Sequence, residues 1–306
     1  MRPTIALLAA LASLAIALPA RPASAWCQMT TSRTRPPGGG CVTEGEPLAW
    51  RRPCTAVVLS NTAPFGSLSD AQVRDVLRRS FATWTSVTCE GALTGLEVTV
   101  TDDLCDCSEA VHNASGHNVH AITYVPEGWA DERGHDPRAY AVTFVWHDPA
   151  TGEILDVDME INGERGPYVE CPAEGCPAGS SDLANVITHE IGHYFGIAHT
   201  PDDPLATMWS MAETGELLKR DLRDDDVEAV CTIYGGEQLD QVCDATPRGG
   251  WPDRTNGVYS SGPDGRVFFH DLDRQLLEVA LAMNPADDAM RRRLETCRDE
   301  QNEGTP

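Results

Sequence analysis

Hydrophobic and polar positions change their period several times along the chain. Thr55-Ala-Val-Val-Leu-Ser60 is a mostly apolar run of strand length. After it, Ser69 or Asp70 can cap a helix that carries Val73, Val76, Leu77, Phe81 and Trp84 on one face. Leu96-Glu-Val-Thr-Val-Thr101 alternates as a half-buried strand does. Three further strand candidates follow at Val119–Val125, Tyr140–Trp146 and Ile154–Ile161, the last two joined by the turn sequence Asp148-Pro-Ala-Thr-Gly-Glu153. Ser181 or Asp182 caps a second helix running to about Phe195, and a third helix spans Asp224 to Gly235. Strand, helix, strands, helix, helix is the order of an α/β (α+β) sandwich with a mixed, twisted sheet and few helices.

The two ends depart from this pattern. Met1-Arg2, an apolar run from Ile5 to Leu18 and Ala23-Ser24-Ala25 follow one another as in a secretory signal peptide. Residues 1–25 are therefore expected to be cleaved and the remainder secreted to the extracellular side. No later stretch approaches the roughly 20 apolar residues of a membrane span. Residues 26–45, with Pro36-Pro37-Gly38-Gly39-Gly40, predict an extended lead-in. After Tyr234-Gly235-Gly236 the composition turns to Pro, Gly and Asn, then to short amphipathic segments near 271–283 and 286–297. A boundary near residue 236 leaves 237–306 as an extension with no assigned role.

Charge and cysteines narrow the picture. The formal charge is −24, and −26 once residues 1–25 are removed, since they hold Arg2 and Arg21 and no acid. Such a field repels nucleic acid and anionic membranes and favours solubility, and a monomer with no nucleic-acid partner is expected. Its carboxylates could also bind structural calcium, although a solvated surface accounts for most of them. All eleven cysteines (27, 41, 54, 89, 105, 107, 171, 176, 231, 243 and 297) follow the expected cleavage point, which predicts disulfides and one leftover thiol. Cys171 and Cys176 can close a small loop. Cys105 and Cys107 are expected to take separate partners, and Cys297 could reach Cys243.

The segment that carries chemistry is Thr188-His-Glu-Ile-Gly-His-Tyr-Phe-Gly-Ile-Ala-His199. His189 and His193, four apart, leave one face of a helix and can share a zinc ion. Glu190 sits beside them, where its carboxylate reaches a water without binding the metal. Gly196 can take a positive φ and end the helix, so that His199 swings back as third ligand. A fourth position stays open, as in a catalytic rather than a structural zinc site.

The HExxHxxGxxH arrangement followed by a methionine is the metzincin signature. Met208, nine residues after His199, resembles the Met-turn beneath the metal. Within metzincins the stretch is similar to the matrixins, the matrix metalloproteinase family. His199-x-x-Asp202 and Ala206-Thr-Met208 resemble that family's H-S-x-D and A-x-M patterns, with Leu222-x-x-Asp225-Asp226-Val227 and Ile233-Tyr234-Gly235 like its last helix. The likeness covers roughly residues 45–236 and is most specific at 188–208. It implies a zincin-like catalytic domain, a protein or peptide substrate, and an S1′ wall formed by Trp209 to Lys219.

The matrixin propeptide with its PRCGxPD cysteine switch has no counterpart here. Cys41, after three glycines, could supply such a thiol, but disulfide pairing is the better expectation. His112, His117 and His120 lie where that family places a second, structural zinc, with a spacing that does not match. In the implied chemistry His189, His193 and His199 hold the metal and Glu190 is the general base. Met208, Gly196 and Asp202 support the site. An extended substrate is expected to add to the edge of the strand at 154–162. Two other readings are a pappalysin-like metzincin, against which the short His199–Met208 spacing counts, and a non-catalytic zinc-binding secreted protein, against which Glu190 counts.

Overall fold

The computed structural model of the chain describes residues 26–32, 40–236 and 243–259. The expected signal peptide and the amphipathic segments near 271–283 and 286–297 lie outside the described residues. In chain order the main elements are β1 (Cys54–Ser60), α1 (Asp70–Thr85), β2 (Glu97–Cys105), β3 (His120–Val125), β4 (Ala141–His147), β5 (Ile154–Asn162), α2 (Leu183–Tyr194), α3 (Asp224–Tyr234), β6 (Arg254–Thr255) and β7 (Val258–Tyr259). From β1 to α3 they sit within a few residues of the patterns that predict them, whereas no pattern predicted β6 and β7. Among the described residues no helix is long and apolar enough to cross a membrane.

Seven strands form one mixed sheet in the order β6-β7-β2-β1-β3-β5-β4. From β7 to β5 neighbouring strands run parallel, whereas β4 is antiparallel to β5 and β6 to β7. Parallel neighbours need long crossovers, and α1 supplies the one between β1 and β2. Ser69 caps α1 in a reciprocal capping box with Gln72, and Val73, Val76, Leu77, Phe81 and Trp84 are buried along its inner face. This face packs with α2 on one side of the sheet, over Val57, Leu59, Val157, Met159 and Ile161.

β5 is an interior strand. It lies between β3 and β4, because it pairs in parallel with β3 while the turn after His147 folds β4 back along its other side. The sheet edge near α2 is therefore β4, and the expectation that 154–162 is an exposed edge is corrected: the strand is interior and the edge is 141–147.

Side chains alternate across a strand, so Asp156, Asp158, Glu160 and Asn162 face away from the helices. All four are nonetheless buried. Two long loops cover them and, with the start of β3, supply the hydrogen bonds that burial demands. Asp156 Oδ2 and Oδ1 meet His112 Nδ1 and His120 Nδ1 at 2.8 and 2.5 Å. Asp158 accepts the backbone N–H of Val111 and Ala121 at 2.8 and 2.7 Å. Glu160 takes the N–H of Ala110, the guanidinium of Arg133 and His135 Nε2. Asn162 donates to Ala139 O at 2.7 Å.

Ten of the eleven cysteines are described, and they form five pairs: Cys27–Cys41, Cys54–Cys243, Cys89–Cys231, Cys105–Cys107 and Cys171–Cys176. Cys171–Cys176 is the small loop expected, and Cys41 is bonded rather than a free switch thiol. Two expectations are corrected. Cys105 and Cys107 bond each other, since the chain leaving β2 brings their Cα atoms to 5.2 Å. Cys243 pairs with Cys54 at the start of β1, not with Cys297, which lies outside the described residues. That bond and the β7–β2 pairing join residues 243–259 to the sheet.

Removing the carboxylate of Asp156 would strand two buried imidazoles. Asp156→Ala is expected to lose about 3–5 kcal/mol of stability in a urea titration; a loss below about 1 kcal/mol would contradict the role given to the row. Although burial alone would raise it, the bonds from His112 and His120 hold the Asp156 carboxyl below its ordinary value. Its contribution is thus complete above the unfolded value, about pH 4, and is lost as pH falls through the folded value. Melting temperatures of wild type and Asp156→Asn should converge in that acid range.

Candidate metal centre

α2 is fixed before it presents any chemistry. Asp182 caps it by accepting the Asn185 N–H at 2.7 Å, and the same carboxylate accepts the Cys171 N–H and both arms of Arg220. Along its length, Trp84 Nε1 donates to Thr188 O and Trp50 Nε1 to Tyr194 O, both at 2.8 Å. The Tyr194 hydroxyl reaches Thr55 Oγ1 on β1 at 2.7 Å. These bonds set the rotation of the helix, so His189 and His193 leave it on the same side, one turn apart.

Past α2, Gly196 has φ +80°, and a Cβ there would lie 2.5 Å from Leu48 O. Glycine meets both demands. The chain then turns into Ile197–Ala198, which pairs antiparallel with Cys27–Gln28 of the lead-in. His199 comes back over α2, and its Nε2 lies 3.2 Å from Nε2 of His189 and 3.2 Å from Nε2 of His193. Two of the rings are steered by their other nitrogen: His189 Nδ1 donates to Thr207 O at 2.6 Å and His193 Nδ1 to Ile197 O at 2.7 Å. That leaves Nε2 unprotonated and pointing at a common centre.

This set fits zinc. Tetrahedral bonds of about 2.0–2.1 Å place ligand nitrogens about 3.3 Å apart, close to the separations here. Burial first, and then the neighbouring His193 and His199, push His189 well below the ordinary histidine range, toward the neutral form that binds a metal. Glu190 is buried and outside this three-nitrogen group; its Oε2 accepts the hydroxyl of Thr143 on β4 at 2.6 Å. Burial raises its pKa.

Met208 is fully buried. The N–H groups of Thr207 and Met208 donate to the two oxygens of Asp226 at 2.8 and 3.0 Å, and Arg223 N at the start of α3 donates to the same carboxylate. A Cβ on Gly192 would fall 2.1 Å from Met208 Sδ, so this helix position has no room for a side chain. In the segment after Met208, Lys219 is buried, its N–H bonded to Asn185 Oδ1 of α2 and its Nζ to Met211 O and Glu216. Asp202 lies exposed in the loop before the Met-turn, with no hydrogen bond to a described residue.

His112 and His120 share Asp156, but His117 is not with them, and no three-donor group forms there among the described residues. Three functional positions escape sequence reasoning: Thr143, Gly192 and Asp226. A glycine inside an apolar helix costs about 1 kcal/mol against alanine, a signal that could have drawn attention to Gly192. Thr143 and Asp226 make contacts distant in sequence, and the family-like pattern that includes Asp226 marks only a helix start.

Asp226 holds the backbone whose carbonyl steers His189 and does not touch the imidazoles itself. Asp226→Ala should weaken zinc affinity about 10- to 100-fold, measured by competition with a zinc-chelating dye. An unchanged affinity in a folded variant would contradict this.

A family model described as Matrixin matches residues 125–235. The chain is also 24% identical over 192 residues to Metalloendoproteinase 1-MMP of Arabidopsis thaliana, a match that covers 61% of this chain and 44% of that protein. The chain thus spans less than half the length of that relative. The family match opens on the last residue of β3 and closes just past α3, taking in the whole imidazole cluster, and over that span the chain is matrixin-like.

Proposed function

We propose that this protein is a secreted zinc endopeptidase. The observation that carries the proposal is the convergence of three Nε2 atoms beside a buried carboxylate that is not one of them. His189, His193 and His199 hold the ion. Zinc bound there would acidify a water toward about pH 7 and polarise a peptide carbonyl.

The remaining work belongs to the chain. Glu190 takes the proton of the attacking water on its carboxylate and passes it to the leaving amine. Met208 keeps the floor of the site in place and moves no proton. An extended peptide lies along the unpaired edge of β4, whose backbone supplies strand-like hydrogen bonds. The segment from Trp209 to Lys219 bounds the primed side, anchored through Lys219. The similarity to a matrixin model and to a plant metalloendoproteinase supports a peptide substrate. Export is supported by the leader pattern of residues 1–25 and by five disulfides, which persist in oxidising compartments.

Glu190→Gln keeps the shape of the side chain and removes the base. In a casein zymogram and a quenched-peptide assay it should lower turnover roughly 10²- to 10⁴-fold while zinc content stays at that of wild type. Chelation should silence wild type and added zinc restore it. Wild-type turnover in the Gln variant would refute the role of Glu190, and a zinc-loaded wild type that cleaves no peptide would refute the peptidase.

A further inference from the structure

The edge strand does more than offer backbone to a substrate. β4 is antiparallel to β5 with Thr143 opposite Met159. Met159 belongs to the core under the helices, so Thr143 faces α2 as well. The next residues on the opposite face, Phe144 and Trp146, stack on each other; Trp146 also stacks on His112 and Phe144 meets a tilted His135, both of the covering loops. β4 is thus clamped from its outer side while its inner side presents one hydroxyl to Glu190.

That hydroxyl donates to Glu190 Oε2 at 2.6 Å, with the Glu190 backbone carbonyl 3.4 Å away. Oε1 makes no hydrogen bond to any described residue. A glutamate has three side-chain torsions, and its terminal sp³–sp² torsion is broad. One charge-assisted bond to a rigid strand removes that freedom. It also occupies one oxygen and leaves the other for a proton in transit.

We propose that Thr143 is a positioning residue that fixes the rotation of the Glu190 carboxylate, so that the strand which receives the substrate also aims the base. The proposal rests on the reading of Glu190 as general base. Its bond is intrinsic to the chain and is present before substrate arrives, so its loss falls on the chemical step. Substrate binding along the β4 backbone and metal binding by the three histidines are untouched.

The test uses the full secreted chain, zinc-loaded, with Thr143→Val and Thr143→Ser. Valine keeps the β-branched shape suited to a strand and removes only the hydroxyl; serine keeps the hydroxyl. Valine should lower kcat about 10- to 100-fold with KM within about two-fold and zinc content unchanged, and serine should recover most of the loss. Crystals of Thr143→Val should show the Glu190 carboxylate rotated or in several orientations, against one in wild type. Equal kcat in valine and wild type, a loss expressed in KM, a serine variant as slow as valine, or an unmoved Glu190 would each overturn the proposal. Wild type active and Glu190→Gln as active as wild type would instead overturn the base assignment beneath it. Should valine fail to fold, the serine and wild-type kcat values, compared with those of Thr143→Ala, decide the same question.

Discussion

Three imidazoles must crowd one nitrogen each around a common centre, with Nε2 of His199 3.2 Å from Nε2 of both His189 and His193, and much of the molecule can be read as the means of holding them there. Neutral imidazoles have no strong attraction for one another, and burial together with the other two disfavours protonation of His189. Their approach is imposed by neighbours. The caps and indole bonds of α2 place two rings, the positive φ of Gly196 returns the third, and the carbonyls of Thr207 and Ile197 turn two rings so that Nε2 faces inward. Met208 packs against Gly192 with no space between, which ties the loop after His199 to the helix before it. Asp226 closes the circuit by fastening that loop to α3.

The far side of the sheet serves the same end by a different chemistry. A strand beneath two irregular loops would normally expose polar side chains, yet Asp156, Asp158 and Glu160 are buried. Burial first, and then the neighbouring Asp156, push Asp158 well above the ordinary carboxylate range, so the row is under electrostatic tension that the N–H groups of Val111 and Ala121 relieve in part. Loops pinned in this way stack His112 on Trp146 and pack a tilted His135 against Phe144 of β4. A firm β4 is what allows a single hydroxyl on its other face to orient Glu190.

Much of this was legible in the residues. Periodicity located the two long helices and the four long strands near the site because each element has one apolar face and a capping or turn residue at its end. The spacing of His189, His193 and His199 around Gly196 announced a shared centre, since an i, i+4 pair and a helix-ending glycine are local facts. Strand order is not local. Ile154–Asn162 reads the same whether it is central or at an edge, and only its pairing with β3 makes β4 the exposed neighbour. The partner of Cys54 escaped for the same reason, since Cys243 is 189 residues away. Thr143 and Asp226 reach Glu190 and the Met-turn across the fold; nothing near Thr143 marks it, and the Asp225-Asp226-Val227 pattern marks a helix start but not the contact with the Met-turn.

The central claim is that the three histidines hold a zinc ion. Anomalous diffraction from the purified full-length protein, recorded on both sides of the zinc absorption edge, measures this directly. A zinc peak within bonding distance of Nε2 of His189, His193 and His199, lost in a His193→Ala crystal, is the result this account predicts. No zinc peak among those nitrogens in protein grown with zinc, or a peak that persists there without His193, would contradict it.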